Sequence, residues 1–117
     1  MANEICYVEF YTTDHQATAE FFSQVFGWKA TQMMDNYLSW TAGDSPLGGG
    51  FSSEQVERSG PRTIAYIQVE DIEATLKKIG EHGGRTVIGK TKISDEYGFF
   101  AWFEDPSGAT VGIWCKT

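Results

Sequence analysis

Residues Ile5 to Thr12 alternate along the chain, with Val8 and Phe10 on one side and Tyr7, Glu9 and Tyr11 on the other. That period of two predicts a strand with one buried face. The period then changes. Ala17, Phe21, Phe22, Val25 and Phe26 form an apolar face at helical spacing, with Thr13-Asp14 as the N-cap signal and Gly27 as the stop. Three short strands are expected next, over Trp28 to Met33, Tyr37 to Ala42 and Leu47 to Ser52. Asp35-Asn36 and Gly43-Asp44-Ser45-Pro46 make the turns between them.

The pattern then restarts. Ser53 to Arg62 is polar, contains Gly60-Pro61 and reads as a linker. Thr63 to Val69 predicts a strand, and Asp71 caps a helix reaching about Glu81, with Ile72, Leu76 and Ile79 facing inward and Gly83-Gly84 ending it. Strands are expected over Arg85 to Lys92, Phe99 to Phe103 and Thr110 to Cys115, with the turn Asp105-Pro106-Ser107-Gly108 before the last. The restart has a register. Asp14-His15-Gln16-Ala17-Thr18 echoes Asp71-Ile72-Glu73-Ala74-Thr75 at an offset of 57, which also carries Gly27 onto Gly84. The order is βαβββ twice, so the fold class is α+β, with helices on one face of mostly antiparallel sheets. The bounds are about 4–53 for module one, 54–62 for the linker and 63–116 for module two.

A chain of 117 residues is one ordinary domain, long enough to bury a core without staples. Its formal charge of −7 argues against a phosphate-binding surface, so neither nucleic acid nor an anionic membrane is an expected partner. No apolar run approaches a membrane span, and the opening residues show no basic region followed by an apolar stretch, as a signal peptide would. Cys6 and Cys115 are then expected as free, buried thiols in a cytoplasmic protein.

The sheet faces away from the helices carry the candidate chemistry. Tyr7, Tyr11, Trp40, Tyr66, Trp102 and Trp114 are expected there, and two such faces would line a half-open cup. The alternative is that these rings are only core or dimer contacts. Glu9 falls on the same side of its strand, with Gln68 at the matching place in the second half. A carboxylate among rings could act as a general base or anchor a cation, or simply pair at a rim with Arg62 or a lysine. Gly48-Gly49-Gly50 lacks the Lys-Ser/Thr and the following helix of a phosphate loop, so its expected role is steric: it admits a ligand or another backbone. His15 and His82 are expected as exposed surface residues, which leaves no base for a serine or cysteine nucleophile.

In order and spacing, Glu9-Phe10-Tyr11-Thr12-Thr13-Asp14, Phe21-Phe22, Val25-Phe26-Gly27-Trp28, Tyr66 to Ile72 and Phe103-Glu104-Asp105-Pro106-Ser107-Gly108 resemble the vicinal oxygen chelate superfamily. That group holds glyoxalase-type lyases, extradiol dioxygenases and bleomycin-resistance proteins. The resemblance covers essentially the whole chain and implies paired βαβββ modules around a concave site, often in a homodimer. It also implies four metal-ligand positions, which fall here on Tyr7, the Gly48-Gly49-Gly50 run, Ile64 and near Gly112. None is His, Glu or Asp, whereas a divalent metal needs three or four converging donors. The expectation is therefore a small-molecule-binding protein without metal or other cofactor, using Tyr7, Glu9, Tyr11, Trp40, Tyr66, Gln68, Trp102 and Trp114. The alternatives are a metal-independent isomerase or lyase with Glu9 as base and Tyr7 or Tyr66 as acid, and a structural dimer whose cup is filled.

Overall fold

The computed structural model describes residues 3–54 and 63–117. It divides into two compact units: Cys6–Ile64, and Ala65–Thr117 together with the short lead-in ending at Ile5. The described residues form β1 (Ile5–Tyr11), α1 (His15–Phe26), β2 (Lys29–Met34), β3 (Tyr37–Thr41) and β4 (Gly48–Ser52). They continue with β5 (Thr63–Gln68), α2 (Ile72–Glu81), β6 (Arg85–Ser94), β7 (Gly98–Glu104) and β8 (Thr110–Cys115). The chain is thus α+β with a βαβββ order in each module. Most of the expected linker, including Arg62, lies outside the described residues, and so does the expected pairing of Glu9 with Arg62.

In the N-terminal module the strand order is β2-β3-β4-β1, with β1 parallel to β4 and the remaining neighbours antiparallel. Registers Glu9↔Gly50 and Gly50↔Ser39 put those residues on one face, while Val8↔Gly49 and Gly49↔Trp40 share the other. Helix α1 covers the second face. Ala19, Leu38, Trp40 and Phe51 are buried there, with Val8, Phe10, Phe22 and Trp28 packed against them. The rings form a stack, Trp28 on Trp40 at 4.3 Å and Phe22 on Trp28 at 4.9 Å. The apolar stripe of α1 is wider than the sheet can cover, so Phe21, Val25 and Phe26 stay 57%, 57% and 60% exposed.

The C-terminal module repeats the plan in the order β5-β8-β7-β6, with β5 parallel to β8. Its core joins Val69, Ile72, Ala101, Ile113 and Cys115, with Leu76, Phe99 and Phe103 packed against them. The lead-in belongs to this module, since the Gln68 N–H donates to the Glu4 carbonyl at 2.8 Å.

The sequence echo is a structural one at its start. Asp14 and Asp71 are both extended N-caps whose Oδ1 accepts from the amide three residues on, Ala17 or Ala74, at 3.0 Å. At its end the echo slips. Gly27 closes α1 in the left-handed region at φ 74°, but in the second module Gly83 takes that conformation, at φ 92°, not Gly84. Helix α2 is two residues shorter, 10 against 12. Gly84 serves packing instead, because a Cβ there would lie 2.6 Å from Ile79 Cγ2 and 2.8 Å from the Glu104 carbonyl. The turn before β8 is held by Asp105, whose Oδ1 accepts from Ser107 at 2.8 Å and Ala109 at 2.9 Å.

Candidate functional site

The helix-free face of the N-terminal module gathers Tyr7, Glu9 and Tyr11 from β1 and Tyr37 from β3. Tyr11 Oη donates to Glu9 Oε1, and Tyr37 Oη donates to Glu9 Oε2 at 2.5 Å. The Tyr7 and Tyr37 hydroxyls are also hydrogen-bonded to each other. A phenol has one proton to give. With the Tyr37 proton on Glu9, Tyr7 must donate to Tyr37, so the chain runs from Tyr7 through Tyr37 to Glu9, with Tyr11 arriving from the other side. Burial first, then the charge on Glu9 and the nearby Tyr7, pushes the Tyr37 phenol well above the ordinary phenol range. Tyr37 is therefore a fixed donor rather than a base.

Tyr37 was not among the residues singled out by sequence, while Trp40 was, and the structure corrects both. Leu38, Trp40 and Ala42 belong to the core beneath α1, which leaves Tyr37, Ser39 and Thr41 for the opposite face. The alternation of apolar and polar residues from Tyr37 to Ala42 carried this signal. The Trp40 Nε1 is buried without a hydrogen-bond partner among the described residues, in a core of apolar side chains and rings.

His15 is a second correction. It is half-buried, not a surface residue. Its Nδ1 lies 2.7 Å from Ser53 Oγ, which also accepts from the His15 amide at 3.0 Å, tying the start of α1 to the end of β4. His82 is exposed and bonds the Lys78 carbonyl at 2.9 Å. Both thiols are free, but Cys6 is only half-buried, and burial pushes its thiol pKa up.

In the C-terminal module the helix-free face carries Tyr66 and Gln68 of β5, Phe100 and Trp102 of β7 and Trp114 of β8, as the registers Tyr66↔Gly112, Gln68↔Trp114 and Phe100↔Trp114 require. Trp102 Nε1 donates to Tyr66 Oη at 2.9 Å, and Trp114 Nε1 donates to the Tyr97 carbonyl at 2.6 Å. Phe100 was missed by sequence because Phe99, Phe100 and Phe103 look alike until the register assigns the first and last to the core.

The glycine run is steric, as expected: Gly49 admits the β1 backbone, and Gly49 and Gly50 admit the module's own rings. A Cβ on Gly49 would lie 1.8 Å from the Val8 carbonyl and 2.4 Å from Trp40 Cζ2, while one on Gly50 would lie 2.0 Å from Tyr37 Oη. The four positions at which metal-dependent members of the family hold their ion do not fit that role here. Tyr7 Oη is engaged with Tyr37, the β4 position is glycine, Ile64 is an apolar side chain with 0% exposure, and Gly112 lies under the Tyr66 ring. Among the described residues no group of three or more His, Cys, Asp or Glu is placed to hold a metal.

The βαβββ order in each of two modules is that of a glyoxalase-type scaffold. The model of the Glyoxalase/Bleomycin resistance protein/Dioxygenase superfamily matches residues 4–113, and the chain belongs to that superfamily. It is similar to CFP32 of Mycobacterium tuberculosis, at 29% identity over 92% of this chain and 44% of that protein. It is similar to the glyoxylase-like domain-containing protein of Didymella fabae, at 29% identity over 94% of this chain and 91% of the relative. The anthracycline biosynthesis protein DnrV of Streptomyces peucetius is 26% identical over 88% of this chain and 43% of its own length. The chain thus spans less than half the length of CFP32 and DnrV. Among solved structures, methylmalonyl-CoA epimerase from Mycobacterium tuberculosis superposes with a TM-score of 0.75 at 12% identity, over 99% of this chain and 89% of the epimerase. The Mn(II)-bound glyoxalase from Novosphingobium aromaticivorans gives a TM-score of 0.71 at 16% identity, over 98% of this chain and 39% of that one. These two likenesses show the fold.

Proposed function

We propose that the protein binds a small planar organic cation, without a metal ion, on the Tyr7, Glu9, Tyr11 and Tyr37 face. One observation carries this reading: a single carboxylate held by phenol hydroxyls on both of its oxygens. Its negative charge and the surrounding rings both attract an organic cation. The same bonds favour binding over proton abstraction, because Glu9 would have to release a phenol before acting as a base. DnrV is, by its name, an anthracycline biosynthesis protein, which agrees with a ring-stacking ligand. Tyr66, Gln68, Trp102 and Trp114 offer a second aromatic face, without a carboxylate among them, on the C-terminal module. A homodimer suits the uncovered Phe21, Val25 and Phe26 of α1, and free thiols suit the cytoplasm.

The test is calorimetric titration with proflavine, a planar cation, against anthraquinone-2-sulfonate, a planar anion. Saturable binding of the cation alone is expected, weakened about 10-fold in Glu9→Gln, the equivalent of about 1.4 kcal/mol. Equal binding of both probes, or of neither, would refute the assignment, and stoichiometric zinc, nickel or iron in the purified protein would refute its metal-free part.

A further inference from the structure

Two tyrosine rings in this protein lie directly on glycines of a neighbouring strand, one in each module. A Cβ on Gly50 would stand 2.0 Å from Tyr37 Oη and 2.3 Å from its Cζ. A Cβ on Gly112 would stand 2.4 Å from both Cδ2 and Cε2 of Tyr66. In each case the seated ring ends in an oriented hydroxyl, Tyr37 donating to Glu9 at 2.5 Å and Tyr66 accepting from Trp102 Nε1 at 2.9 Å.

We infer that Tyr37, seated on Gly50, is the positioning residue for the Glu9 carboxylate, and that Tyr66, seated on Gly112, plays the same part for the Trp102 indole. The physical reason is distance. A methyl group at either glycine would penetrate the ring, since real Cβ contacts essentially never fall under 3.0 Å. The ring would have to turn away from the strand and carry its hydroxyl off its partner. At Gly50 the loss would spread, because the Tyr37 oxygen is hydrogen-bonded to both Tyr7 and Glu9. The two glycines stand where the donor set fails to suit a metal. The disagreement thus has a positive content: the room above them is taken by phenols that orient a carboxylate and an indole. The effect on ligand affinity rests on the proposed cation binding, whereas the seating itself does not.

The experiment uses the whole chain with 13Cζ-tyrosine and 15N-tryptophan labels. Gly50→Ala is expected to move the 13Cζ signals of Tyr7 and Tyr37 and leave those of Tyr66 and Tyr97 in place. Gly112→Ala is expected to move the Trp102 indole N–H and spare that of Trp28. Tyr37→Phe keeps the ring seated but removes its hydroxyl, so the Tyr7 signal should still move while the far-ultraviolet circular-dichroism spectrum stays that of the wild type. Both Gly50→Ala and Tyr37→Phe are expected to weaken proflavine about 5-fold or more. Unmoved Tyr7 and Trp102 signals in these variants would overturn the inference, as would a Tyr37→Phe protein with unchanged proflavine affinity. If the wild type does not bind proflavine at all, the ligand assignment falls and the label shifts alone decide the seating.

Discussion

Gly49 gives the most direct test of the packing, because both obstacles to a side chain there are rigid. An added Cβ would lie 1.8 Å from the Val8 carbonyl oxygen of β1 and 2.4 and 2.5 Å from two atoms of the Trp40 indole. Relief to an ordinary contact needs a shift of more than about 1 Å at the backbone and a comparable one at the ring. The ring has no room to retreat, since Trp40 is 4% exposed and stacked on Trp28. Overpacking a well-filled core costs about 1–3 kcal/mol, and two immovable neighbours put Gly49→Ala at the top of that range, about 3 kcal/mol. Against a total of about 6–18 kcal/mol for a domain of this length, that is a large share. Urea unfolding followed by circular dichroism should show a lower midpoint at unchanged slope, and the thermal midpoint should fall by about 10 °C. Gly89, with no atom within 4 Å of an added Cβ, is the internal control and should tolerate alanine within about 0.5 kcal/mol. A Gly49→Ala protein as stable as the Gly89→Ala protein would show that β1 and β4 do not approach as described.

Two further outcomes follow from the same geometry. Asp14→Ala and Asp71→Ala each remove an N-cap acceptor of the same geometry, so each should cost about 1 kcal/mol in urea unfolding, and unequal losses would argue against equivalent caps. Tyr37 retains its proton in the folded protein beyond the pH at which an unfolded tyrosine, near about 10, releases it. Its contribution is therefore complete below about pH 10 and declines as the pH rises above that value. Tyr37→Phe should flatten this alkaline decline in stability, and an identical pH profile for variant and wild type would contradict the assignment.

Much of the fold was written in local pattern. Asp14 and Asp71 announced their helices by residue type and by the apolar spacing that follows, and capping is a local interaction. The alternation of Val8 and Phe10 against Tyr7, Glu9 and Tyr11 placed β1 correctly because both faces were distinct in polarity. Harder cases turned on what lies across the sheet. Trp40 is an amphipathic ring acceptable on either face; its alternation with Leu38 and Ala42 points to the core, and its register with Gly49 and its stack on Trp28 seat it there. Tyr37 enters the candidate site through a partner 28 positions away in sequence, and the alternation along β3 gives its face but not that partner. His15 was misread for a similar reason. Its ring meets Ser53, 38 positions further along the chain. The slip from Gly84 to Gly83 reflects tertiary packing, because Ile79 and the Glu104 carbonyl occupy the space that a side chain at position 84 would need.

The Trp28–Trp40 stack has a use beyond packing. Two indoles 4.3 Å apart and inclined by 22° are close enough for their excited states to couple, so the pair is expected to give its own circular-dichroism couplet in the far ultraviolet. Both indoles belong to the N-terminal module, while Trp102 and Trp114 belong to the other. The couplet therefore reports on one half of the duplicated chain alone. Followed beside the indole N–H signal of Trp102, it can tell whether the two modules melt as one cooperative body or in separate transitions.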